Sequence, residues 1–110
     1  MRLLVFGNAR DKRIRSLLMD TLNKLNPKTI IYGDEDDLAK VISIYASNSH
    51  VNIEIYKPAW GRYSLHAMSI RNEKMIEKGK PDFIIICNKT IFSDLDYIYA
   101  SGIPVGFLKT

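Results

Sequence analysis

Lys80-Pro81-Asp82-Phe83-Ile84-Ile85-Ile86-Cys87 is the stretch from which the fold can be read. Phe83 to Cys87 is the most apolar run in the chain, and Lys80-Pro81-Asp82 leads into it. A strand with one wet face alternates apolar and polar residues, and this run does not. It reads as a central parallel strand covered on both faces. Parallel strands must be joined by long crossovers, usually helices. The sequence on both sides should therefore alternate strands with helices.

It does so in both directions. Arg2 to Phe6 is a short apolar run closed by Gly7, and it reads as a buried strand. After Gly7-Asn8-Ala9-Arg10-Asp11, the spacing of Ile14, Leu17, Leu18, Leu22 and Leu25 predicts a helix facing inward on that side, stopped by Pro27. Thr29 to Tyr32 is a second strand, closed by Gly33. The helix after it turns Leu38, Val41, Ile42, Tyr45 and Ala46 inward. Val51 to Tyr56 is a third, alternating strand between Asn48 and Pro58. Within Ala59 to Ile76, the residues Leu65, Met68, Asn72, Met75 and Ile76 share one helical face, with Arg71 at its edge. Beyond Cys87, a last helix carries Leu95, Ile98 and Tyr99 inward, and Pro104 to Leu108 is the final strand. Such β-α alternation over residues 1–110 predicts one α/β domain: a parallel sheet, helices on both faces and right-handed crossovers.

Composition narrows the function classes. The chain has 110 residues, 46% of them hydrophobic, which suits one compact domain. No apolar run is long enough to span a bilayer, and the start lacks a signal-peptide pattern, so no membrane partner is expected. The single cysteine excludes an internal disulfide and fits a reducing compartment, so a cytoplasmic location is expected. The net charge of +4 permits an anionic partner without requiring nucleic acid.

Arg71 and Asn72 interrupt the otherwise apolar face of the third helix. A charged or amide group on a core-facing stripe needs a partner or a ligand, because burying it unsatisfied is costly. Around them, Met68-Ser69-Ile70-Arg71-Asn72-Glu73-Lys74-Met75 reads M-x-x-R-N-x-x-M. This resembles the M-x-x-R-K-x-x-M segment of the cytokinin-activating phosphoribohydrolases. With Trp60-Gly61-Arg62 and Ala67, the segment is closer still to the small YspA-like family of the SLOG superfamily, a group of Rossmann-like nucleotide-binding proteins. Ala100-Ser101-Gly102-Ile103-Pro104-Val105 also resembles that family's A-G-I-P-V lead into the last strand.

The resemblance implies a three-layer Rossmann-like fold, with a five-stranded parallel sheet in the order 3-2-1-4-5. It also implies a ligand at the switch point between strands 1 and 4. The expected ligand-binding residues are Gly7, Asn8 and Arg10 after the first strand, Gly33 after the second, Trp60, Arg71 and Asn72 of the third helical segment, and Asn88 and Thr90 after the fourth strand. No metal site and no cofactor is expected. The glycine-rich loops depart from the family. Its G-S-R becomes Gly7-Asn8-Ala9-Arg10, with one extra residue. Its G-G-A-x-G-A-D is replaced by Gly33-Asp34-Glu35-Asp36-Asp37, and its P-G-G-x-G-T by Asn88-Lys89-Thr90. The catalytic glutamate of the phosphoribohydrolases has no counterpart, and only Asp94 or Asp96 could stand in for it. Four adjacent carboxylates suit the start of a helix and would repel a phosphate unless a cation intervened.

Three functions remain in play. The first is a module that binds a nucleotide or nucleotide-derived ligand, with or without turnover. The second is an N-glycosidic hydrolase or transferase acting on nucleotides. The third is a phage or bacterial accessory protein that works by contact with another protein. Relatives usually self-associate, so the resemblance also implies a homodimer. Ile44 and Ile70 are read as lying on the outer faces of their helices.

Overall fold

The computed structural model describes residues 1–33, 36–59, 61, 67–88 and 95–109, with the side chains of 36, 68 and 95 set aside. Among these residues, strands and helices alternate: β1 (Arg2–Gly7), α1 (Lys12–Leu25), β2 (Thr29–Tyr32), α2 (Asp36–Ser47), β3 (Asn52–Ile55), α3 (Ala67–Glu77), β4 (Phe83–Cys87), α4 (Leu95–Ala100) and β5 (Val105–Leu108). The strands form one all-parallel sheet in the order β3-β2-β1-β4-β5. The expected Rossmann-like fold and strand order are both present.

The register explains why β1 and β4 read as unbroken apolar runs and why β2 is buried beside them. Leu3, Val5, Ile30, Tyr32, Ile85 and Cys87 pack with Ile14, Leu18 and Leu22 of α1 and with Leu38, Val41, Ile42 and Tyr45 of α2. The alternate strand residues Leu4, Phe6, Ile31, Ile84 and Ile86 pack with Met75 and Ile76 of α3 and Ile98 of α4. Both faces of these strands are therefore covered by helices. Each fully buried aliphatic side chain stabilises the fold by about 1.5–3 kcal/mol. β3, at the sheet edge, leaves Ile53 and Ile55 exposed.

Asp11 caps α1, its carboxylate accepting from the Arg13 N–H at 2.8 Å. At the other end Asn26 takes the left-handed conformation, φ 47°, and its N–H reaches the Leu22 carbonyl at 2.9 Å. The helix thus ends at Leu25, two residues before Pro27. Two residues expected inside are outside. Leu17 is 40% exposed because the buried stripe of α1 follows Ile14, Leu18 and Leu22, and Leu17 lies about 100° off it. Tyr99 is 54% exposed for the same reason, being one position round the short α4 from the buried Ile98. Ile44 faces out as expected, whereas Ile70 is half-buried.

At the amino ends of the strands, Arg2 ties three elements together. Its Nη2 donates to both carboxylate oxygens of Glu54 in β3, at 2.8 and 2.7 Å, and its Nε to the Gly79 carbonyl at 2.7 Å. Its backbone N–H donates to the Asp82 carboxylate at 2.8 Å. This clamp fixes the end of the sheet opposite the switch point and leaves the carboxyl ends to the loops.

Candidate functional site

β1 ends at Gly7, which pairs with Cys87 at the end of β4. Gly7 has φ +97°, and a β-carbon there would lie 2.0 Å from the Cys87 carbonyl oxygen. Only glycine lets the two strand ends lie this close. The ladder runs one step further, because the Asn8 N–H donates to the Cys87 carbonyl at 3.1 Å. On the other side of β4, the Asn88 N–H donates to the Leu108 carbonyl at 2.6 Å. Asn88 turns the chain with φ +44°, a left-handed conformation that asparagine tolerates better than most residues. Both asparagines are half-buried, and they stand on neighbouring strand ends where the crossovers diverge to opposite faces. In doubly wound sheets this is the crevice in which ligands sit.

The β1–α1 loop is held in place from the helix. Arg15 Nη1 donates to the Ala9 carbonyl at 2.9 Å and to the Arg10 carbonyl at 2.8 Å. The Arg10 N–H reaches Asn8 Oδ1 at 3.3 Å. The Arg10 side chain is mostly in solvent, and its Nε lies 3.9 Å from Asp37 Oδ2 in the first turn of α2. Such an exposed pair contributes roughly 0–1 kcal/mol, so Arg10 is loosely tethered above the loop. Asp11 receives the Arg13 guanidinium as well as its N–H, with Nη2 at 3.1 Å from Oδ2. The start of α1, a natural anion seat, therefore already holds a carboxylate.

Arg71 and Asn72 are both buried, at 4% and 5% exposure. Asn72 Oδ1 accepts from Arg71 Nε at 3.0 Å and from Nη2 at 2.8 Å. Arg71 Nη1 donates to the Gly33 carbonyl. A β-carbon on Gly33 would sit 2.1 Å from Nη1 and 2.4 Å from Cζ. The guanidinium thus lies flat against the end of β2, the strand beside β1, and Gly33 is the residue that makes room. Among the described residues, no buried side-chain nitrogen or oxygen lacks a hydrogen-bond partner. Arg71 also borders a narrow cleft with Lys57, Ala59, Ala67, Ile70 and Lys74.

Cys87 lies beneath the crevice. Burial pushes its thiol up to about 12, so it stays protonated at neutral pH and is a poor nucleophile. Among the described residues, no group of three or more His, Cys, Asp or Glu could hold a metal ion. Nor is any described helix long and apolar enough to cross a membrane.

Comparison with protein-family models, with curated proteins and with solved structures gives no match.

Gly7, Asn8, Arg10 and Asn88 stand at the β1 and β4 ends, and Gly33, Arg71 and Asn72 form a second group at the end of β2. Trp60, Thr90, Asp94 and the Asp34-Glu35 pair lie outside the described residues. Asp96 is exposed in the first turn of α4. Two supporting residues were not read from the sequence. Asp11 was detectable as a capping residue directly before a helical period. Arg15, which holds the loop carbonyls, carried no local signal, since its position on α1 looks like any solvated helix face.

Proposed function

We propose that the protein is a small nucleotide-binding module of the SLOG type, related to the YspA-like family. It holds a nucleotide or nucleotide-derived ligand at the β1–β4 switch point, and turnover is not part of its role. The observation that carries this reading is the Gly7–Cys87 junction. A glycine at φ +97°, packed on a neighbouring strand's carbonyl, brings two strand ends together at the carboxyl edge of a parallel sheet. Rossmann-like sheets of this order use that edge for ligands. Arg71 and Asn72 support the site from one strand away by fixing the β2 end through Gly33. The absence from this sequence of the family's glycine-rich loops and catalytic glutamate argues for binding over hydrolysis. In this reading the module is cytoplasmic and forms a homodimer.

Two measurements on the purified protein test the proposal. Mass spectrometry of small molecules released by heat should find a nucleotide or nucleotide derivative. Added nucleotide should raise the melting temperature, since a ligand at a hundred times its Kd stabilises the native state by about 2.7 kcal/mol. An empty protein that no nucleoside mono- or diphosphate stabilises would refute the proposal. Release of free base from a bound nucleotide would replace it with an N-glycosidic hydrolase.

A further inference from the structure

Phosphate recognition by a βα loop depends on free backbone N–H groups and an open helix N-terminus. Around this crevice many of those groups are already engaged. The Asn8 N–H is held by the Cys87 carbonyl and the Asn88 N–H by the Leu108 carbonyl. The Arg10 N–H goes to Asn8 Oδ1, and the Arg13 N–H to the Asp11 carboxylate. Asp11 is itself an anion at the point where a phosphate would dock, and like charges there repel. The strand ends offer something else. Gly7 and Cys87 are paired, so Asn8 and Asn88 are the residues that follow directly on two adjacent strand ends. The Asn88 carboxamide has no hydrogen-bond partner among the described residues, although it is half-buried. Asn8 uses its oxygen only for a long 3.3 Å contact within its own loop. A carboxamide presents one donor and one acceptor in a plane, the complement of a nucleobase edge.

Resting on the nucleotide-binding reading above, we infer that the ligand is recognised through its base, by the carboxamides of Asn8 and Asn88, and that its phosphate adds little. The ligand class is then the nucleoside and its neutral derivatives as much as the nucleotide.

Isothermal titration with adenosine, guanosine, cytidine and uridine, with their 5′-monophosphates and with ribose 5-phosphate tests this. At least one nucleoside should bind within about threefold of its monophosphate, and ribose 5-phosphate should not bind. Asn8→Asp and Asn88→Asp keep the side-chain shape but replace the amide donor with an acceptor. Each should weaken nucleoside binding by roughly ten- to a hundredfold, the scale of one lost bidentate pair. Circular dichroism should confirm that both variants fold, and Asn88→Gly, which suits the left-handed backbone, should lose the same affinity. Monophosphates that bind at least tenfold more tightly than their nucleosides, or ribose 5-phosphate binding at the same site, would overturn the inference and leave the binding module standing. Nucleoside binding unchanged in folded variants would also overturn it. A protein that binds none of these compounds would remove both readings.

Discussion

Gly33→Ala is the sharpest perturbation of the arrangement around the site. The added methyl would lie 2.1 Å from Arg71 Nη1 and 2.4 Å from Cζ, far inside van der Waals contact. Gly33 is not among the residues with positive φ, so backbone strain does not confuse the outcome. Arg71 cannot swing away cheaply. It is 4% exposed, and Asn72 Oδ1 holds two of its guanidinium nitrogens. Displacing it breaks the charge-assisted bond to the Gly33 carbonyl, worth about 1.5–3 kcal/mol. Full loss of a buried charge's partner sets an upper bound near 3–5 kcal/mol. The expected cost therefore falls at about 2–4 kcal/mol, between those limits. A chain of 110 residues unfolds with roughly 0.23 kcal/mol/K of entropy, so the melting temperature should fall by about 9–17 °C. Urea denaturation followed by circular dichroism gives the free energy. The control is the same substitution in an Arg71→Ala background, where the methyl has room. There Gly33→Ala should be neutral or slightly stabilising, because it restricts the unfolded chain. A Gly33→Ala protein within about 0.5 kcal/mol of wild type, or an equal loss in both backgrounds, would refute the reasoning.

Gly7→Ala should cost more, because the methyl would meet the backbone oxygen of Cys87 at 2.0 Å and φ is +97°. A loss of at least about 3 kcal/mol is expected in the same denaturation assay. Arg2→Ala and Glu54→Ala should each cost about 1–2 kcal/mol, a value discounted for their partial exposure, and the double variant should lose much less than the sum. Cys87 should resist alkylation in the folded protein at pH 8 and react freely in urea, since burial pushes its thiol up to about 12. The folded thiol keeps its proton at a pH where the unfolded one loses it. Cys87 therefore contributes stability that is fully present below the ordinary thiol range and lost as pH rises towards 12. Thermal melts from pH 8 to 11 should fall less steeply in Cys87→Ala.

The fold was legible because two independent patterns agreed. Apolar runs without alternation marked β1 as buried and β4 as covered on both faces, and i+4 spacing marked the helices between them. The misplacements have a common cause. Leu17 and Tyr99 each sit one position away from a buried residue, and a helical period locates the centre of a buried stripe better than its edge. Arg71 and Asn72 were legible as a polar interruption on a core face, but not their partner. Gly33 is 38 residues away in sequence from Arg71, and nothing local to either predicts that a guanidinium will lie on that glycine. Asn8 and Asn88 follow adjacent strand ends only through the β1–β4 register, a pairing across the sheet that periodicity cannot supply.

The central claim is that a nucleotide-type ligand sits at the β1–β4 switch point. Titrating the isotope-labelled protein with nucleosides and nucleotides, and following backbone amides by two-dimensional NMR, tests it most directly. The account predicts saturable shifts centred on Gly7, Asn8, Ala9 and Asn88, with smaller changes at Gly33 and in the turn of α3 that carries Arg71. An unchanged spectrum, or shifts confined to the groove that Leu17 and Lys109 line beside α1, would contradict it.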